Sequence, residues 1–150
     1  MPSLPFSTGV NPDGSGSAER PFALVSGPHE DTRNMMRLML EVWGFDVAEA
    51  DGCQECVDIA GKRKPSLVLV DAAIPFDESM ETVELLKRQS STSDVPILMI
   101  SGFGQDGYRQ AALEGGVSHY MVKPVDFDEL QQFVTYLARV TGQADEKTIL

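Results

Sequence analysis

The chain has 150 residues, 42% of them hydrophobic and 23% charged, with 23 acidic residues against 12 basic ones and a formal net charge of −11. That length suits one domain with a real core and is short for two ordinary ones. The charge argues against a nucleic-acid surface, which needs a basic patch to displace counterions, and against an anionic membrane surface; no apolar run is long enough to span a bilayer.

Residues 1–20, rich in Ser, Pro and Gly with Arg20 as their one basic residue, are expected to form a disordered leader without the apolar centre of a secretory signal. Phe22–Val25 reads as a strand and runs into Ser26-Gly27-Pro28. Met35, Met36, Leu38, Met39 and Val42 recur at mixed three-and-four spacing, predicting a helix stopped at Gly44 with its methionines in the core and Trp43 sealing its end. Phe45–Ala50 alternates like a strand, and residues 53–63 form a helix closed by Lys64-Pro65. Leu67–Val70 is continuously apolar, as expected of a strand buried on both faces, and a helix follows from Glu78 to Arg88. Pro96–Ile100, residues 106–114 and His119–Val122 read as strand, helix and strand. The last helix opens at Asp126 with Glu129 three residues on, a capping-box pattern, and carries Phe127, Leu130, Phe133, Val134 and Leu137 as its apolar stripe. Residues 21–141 thus form the domain, and 142–150 a short tail.

Five strands alternating with five helices predict an α/β fold with a parallel sheet covered on both faces. Ligands of such sheets sit beyond the carboxyl ends of the strands. Those ends are Ser26-Gly27-Pro28, Asp71, Ser101-Gly102 and Lys123-Pro124. Asp71 follows a wholly apolar run where structure alone would not demand a charge, so it is the natural nucleophile. Ser101 can donate to an oxyanion beside it, and Lys123 can pair with Asp71 or with a phosphoryl group that it carries. A carboxylate, a hydroxyl and an ammonium around one point suit formation of an acyl phosphate.

Over residues 21–140 the chain resembles the receiver domains of two-component signalling. The likeness rests on Asp71-Ala-Ala-Ile-Pro75, on Ile97-Leu-Met-Ile-Ser101-Gly102, on Tyr120-Met-Val-Lys123-Pro124, and on His29-Glu-Asp-Thr-Arg33 and Asp51-Gly52. The resemblance implies a (βα)5, flavodoxin-like, doubly wound five-stranded parallel sheet in the order 2-1-3-4-5, with a cis Lys123–Pro124 bond. It implies Asp71 as phosphoacceptor, Lys123 and Ser101 as the groups that stabilise the phosphoryl, and Tyr120 as either a rotamer switch coupled to Ser101 or a static half-buried aromatic. It also implies a histidine kinase or phosphotransfer protein as donor, and a downstream protein partner on the face of the fourth helix, fifth strand and fifth helix. A homodimer through the last helix is a further option.

Two departures stand out. Family members carry two adjacent acids after the first strand which, with the phosphoacceptor, hold Mg2+; here those positions are Gly27 and Pro28, neither with a side-chain ligand. Asp71 alone makes a poor magnesium site, and Glu30 and Asp31, expected to cap the first helix, reach a metal only if the loop bends back. Where an Asp-Gly turn is usual, Glu78-Ser79 stands instead, predicting a rearranged backbone.

The expected function is therefore an atypical, stand-alone, cytoplasmic receiver that is not an enzyme, contacting neither nucleic acid nor membrane. The alternative is a pseudo-receiver that binds a partner without phosphate. An Asp-nucleophile phosphatase is disfavoured because Ala73 stands where its second Asp belongs. Cys53-x-x-Cys56 has no other Cys and only distant His29 and His119, so Cys56 reads as a small buried residue rather than a redox or zinc ligand. Gly102-Phe-Gly104-Gln-Asp-Gly107 matches a dinucleotide-loop pattern with Asp126 downstream, but only one strand follows it, so it reads as a loop.

Overall fold

The computed structural model describes residues 20–72 and 76–149. Residues 1–19 of the leader, and Ala73 and Pro75, lie outside them. The chain alternates β1 (Phe22–Ser26), α1 (Glu30–Val42), β2 (Asp46–Ala50), α2 (Cys53–Lys62), β3 (Leu67–Ala72), α3 (Phe76–Arg88), β4 (Ile97–Ser101), α4 (Asp106–Glu114), β5 (His119–Val122) and α5 (Phe127–Ile149). The strands form one parallel sheet in the order β2-β1-β3-β4-β5, the fold that the sequence implies. The helical backbone of α5 crosses the boundary drawn before residue 142.

Alternation along the central strands builds two cores. Val68, Val70, Ile97 and Met99 face Cys56, Val57, Ala60, Val83, Leu86 and Ala112 of α2, α3 and α4. Leu67, Leu69, Leu98 and Ile100 face Met36 and Leu40 of α1 and Leu130 and Val134 of α5. Strands clad on both sides must be apolar throughout, which is why β3 and β4 read as unbroken runs.

Three local expectations change. Helix α1 buries only Met36 and Leu40, while Met35, Leu38 and Val42 are exposed. A helix lying on a sheet buries one stripe, and the predicted set spans too much of its circumference. The N-cap of α1 is His29, with no side-chain cap bond; Glu30 and Asp31 occupy the first turn, where their charge complements the helix dipole. Helix α3 starts at Phe76, so Glu78 and Ser79 are helical rather than part of a rearranged turn.

Gly44 ends α1 as predicted. It has φ +102°, donates to Glu41 O, and lets Phe45 N–H reach back to Leu40 O. That left-handed turn suits glycine and satisfies the last carbonyls of the helix. At the start of α5, Asp126 Oδ1 accepts from the Asp128 and Glu129 N–H groups at 3.0 and 3.1 Å. The Glu129 carboxylate faces His119 Nε2 at 3.8 Å, so the recorded capping bonds are those accepted by Asp126.

Candidate functional site

Parallel register brings the ends of β3, β4 and β5 level. Ala72 pairs with Ser101 and Ser101 with Val122, and the Lys123 N–H donates to Ser101 O at 2.8 Å. Asp71, one residue before the end of β3, is therefore beside the residues that follow β4 and β5. Its carboxylate is 1% exposed, and Lys123 Nζ lies 2.8 Å from its Oδ1. Among the described residues Lys123 is the one cation paired with it. A carboxylate buried in an apolar sheet is costly and is stabilised here by that ammonium. The Lys123–Pro124 bond is cis.

On the β1 side, Gly27 packs directly on Asp71. A Cβ at position 27 would stand 2.9 Å from Asp71 Cβ and 3.5 Å from Asp71 Oδ2. The Gly27 carbonyl accepts from Arg33 Nη1 at 2.7 Å, and its N–H donates to Ala50 O. Arg33 is in turn held by Glu49 at 3.2 Å, and Arg37 grips the same carboxylate at 2.6 Å. The loop is thus fastened at both ends with its backbone against Asp71. Beside it lies a cavity of about 290 Å3 walled by Gly27, Asp51, Cys53, Asp71, Glu78 and Thr82.

These residues do not fit a magnesium ion. A hard cation needs several converging oxygen ligands. Gly27 and Pro28 offer no side-chain oxygen, Pro28, Glu30 and Asp31 are exposed, and no group of three acidic, His or Cys side chains converges among the described residues.

Ser101 and Tyr120 are linked through the backbone of one residue that sequence reasoning missed. The Phe103 N–H donates to Ser101 Oγ at 2.9 Å, and the Tyr120 hydroxyl donates to Phe103 O at 2.6 Å. Because Ser101 Oγ accepts this bond, its own proton remains available to an oxyanion. Tyr120 is 2% exposed and points inward. The Phe103 ring meets Phe76 edge-on and Tyr108 at a tilt, at centroid distances of 5.7 and 4.8 Å, joining the loop after β4 to α3 and α4. Phe103 acts through backbone atoms, which no residue pattern announces. Tyr120→Phe leaves the Phe103 carbonyl without that donor, and is expected to cost about 1–2 kcal/mol. Hydrogen exchange at Phe103 and its neighbours should speed up; unchanged exchange would show that Tyr120 does not hold this loop.

The bland readings of the other motifs fit the geometry. Cys56 is fully buried, and burial pushes its thiol up to about 12 despite a hydrogen bond with Ser26. Gly102, Gly104 and Gly107 are absent from the positive-φ glycines, so none needs to be glycine for its backbone angle.

Residues 24–135 match the family of the response regulator receiver domain, and the chain belongs to that family. It is 32% identical over 124 residues to the phosphate regulon transcriptional regulatory protein PhoB of Pseudomonas aeruginosa, covering 83% of this chain and 54% of that protein. It is 28% identical over 123 residues to the DNA-binding dual master transcriptional regulator RpaA of Synechocystis, covering 82% of this chain and 51% of that one. The chain thus spans about half the length of these curated relatives. Among solved structures, a CheY-like receiver domain protein from Methanospirillum hungatei superposes with a TM-score of 0.74 at 18% identity, covering 83% of this chain and 98% of that one. The receiver domain of Francisella response regulator 1452 gives 0.73 at 21% identity, covering 81% and 98%. Among the described residues no helix is long and apolar enough to cross a membrane.

Proposed function

We propose that this receiver accepts a phosphoryl group on Asp71 from a histidine kinase or phosphotransfer protein in the cytoplasm, without relying on a bound magnesium ion. The observation that carries the reading is the buried Asp71 carboxylate, held by Lys123 at 2.8 Å at the carboxyl end of the central strand. A charge kept at that cost in an apolar sheet is poised for chemistry. In the transfer, a carboxylate oxygen of Asp71 bonds to phosphorus as the donor's phosphorus–nitrogen bond breaks, and its electron pair leaves with the imidazole nitrogen. Lys123 neutralises the incoming phosphoryl oxygens, and Ser101 donates its free hydroxyl proton to one of them.

Moving Ser101 toward the phosphoryl disturbs the Phe103 backbone and with it Tyr120, carrying the signal to a protein partner, or to a second copy of the chain, on the α4–β5–α5 face. On this reading Asp71→Asn abolishes phosphotransfer from the kinase and the phosphorylation-dependent gain in partner binding. Full transfer and signalling by that variant would sink it.

The packing of Gly27 on Asp71 favours a second reading, a pseudo-receiver that binds its partner without phosphate. In that case Asp71→Asn leaves partner binding intact and the wild-type chain takes up no label.

A further inference from the structure

The opposite edge of the sheet, where the strands begin, holds an open cavity of about 620 Å3. Arg20, Arg63, Lys64 and Arg139 line it, and among the described residues no Asp or Glu does. Four basic residues therefore line one hollow in a chain of net charge −11. Such a cluster focuses a local positive field against the chain's overall negative charge.

The cations are positioned rather than scattered. The Arg63 guanidinium lies 4.2 Å over the Phe22 ring, on the apolar floor of the cavity. Arg20 is clamped to the end of α1 through Gly44 O at 3.2 Å and Glu41 O at 3.0 Å, both neutral backbone acceptors. Arg63 and Lys64 do touch acids, Asp46 at 3.4 Å and Asp94 at 2.9 Å, but those pairs are about half exposed or more. Exposed pairs of that kind are weak and exchange readily for a stronger anion. Trp43, partly exposed at the end of α1, adds an aromatic wall beside the arginines.

We propose that this cavity binds a nucleoside phosphate, with the phosphate on the Arg63 and Arg139 guanidinium groups and the planar base against Trp43. Arginine matches phosphate through its planar fork of donors, and an indole offers a stacking face to any base. The volume lies within the range of about 300–1,000 Å3 usual for small-molecule sites. The site is at the far end of the strands from Asp71 and does not depend on phosphorylation there.

Trp43 is the only tryptophan, so its fluorescence reports this cavity. The test titrates the full chain with AMP and with GMP, following Trp43 emission and heat of binding together. Adenosine and inorganic phosphate serve as the separate halves of the ligand. At least one nucleotide should give a saturable response, with each half alone far weaker. Arg63→Gln combined with Arg139→Gln should weaken binding roughly tenfold or more, while Asp71→Asn leaves it unchanged. Arg139→Gln alone, at an exposed position, keeps the test valid if the double variant folds poorly. No saturable response to either nucleotide overturns the proposal, as does equal affinity in the arginine variants. Phosphate binding as tightly as the nucleotide overturns it too, because the base would then have no role.

Discussion

Lys123→Ala is expected to lower the unfolding free energy by about 2–3 kcal/mol, because it strands the Asp71 charge in the sheet. The Asp71 side chain is 1% exposed, and Lys123 Nζ at 2.8 Å is its one recorded ion-pair partner. Removing one member of a fully buried pair costs about 3–5 kcal/mol. Lys123 itself is 37% exposed, so water reaches the gap and moderates the loss. For a domain of this size the melting temperature should fall by roughly 5–10 °C. Adding Asp71→Asn to Lys123→Ala removes the stranded charge and should recover most of that loss, a coupling that a double-mutant cycle reads directly. Additive effects in the cycle would mean that Lys123 does not hold Asp71 as a buried anion.

The second large effect is expected from restoring an acid after β1. Gly27→Asp should destabilise the domain by about 3 kcal/mol or more, combining overpacking with a like charge beside Asp71. A Cβ there would stand 2.9 Å from Asp71 Cβ, a separation that neither rigid strand end can relieve cheaply. Gly27→Ala shares the steric part alone and should cost about 1–2 kcal/mol. Calorimetric titration of Gly27→Asp with Mg2+ should still show no tight binding, since the overpacked loop would have to move before a cation and its other oxygen ligands could fit between the two carboxylates. Tight magnesium binding by an undamaged Gly27→Asp protein would show that the glycine merely lacks a ligand and does not close the site.

The strands were legible because their residues leave no alternative. Leu67–Val70 and Pro96–Ile100 are unbroken apolar runs bounded by Pro or polar residues, and β3 and β4 lie within one or two residues of them. Helix α4 and strand β5 were read with their observed bounds. Asp71 stood out for the same reason, as a charge at the end of an apolar run. Helix α1 was over-read because Met and Leu are common on exposed helix faces, and composition does not say which stripe meets the sheet. The closeness of Gly27 to Asp71 depends on how β1 and β3 pair, information spread over two strands rather than held in either. The role of Phe103 lies in its backbone N–H and C=O, which nearly every residue carries. The basic cavity was invisible because Arg20, Arg63 and Arg139 are far apart in sequence, and a net charge of −11 averages over their convergence.

The most direct test of the central claim is intact-mass spectrometry of the chain after incubation with a small acyl phosphate, with and without Mg2+, beside Asp71→Asn. The account predicts a mass gain of one phosphoryl group in the wild-type chain, of similar extent with and without the metal, and no gain in Asp71→Asn. A gain that appears only with Mg2+ would contradict the conclusion that Gly27 and Pro28 leave no magnesium site. No gain under either condition would contradict phosphorylation of Asp71 itself and leave phosphate-independent partner binding as the function.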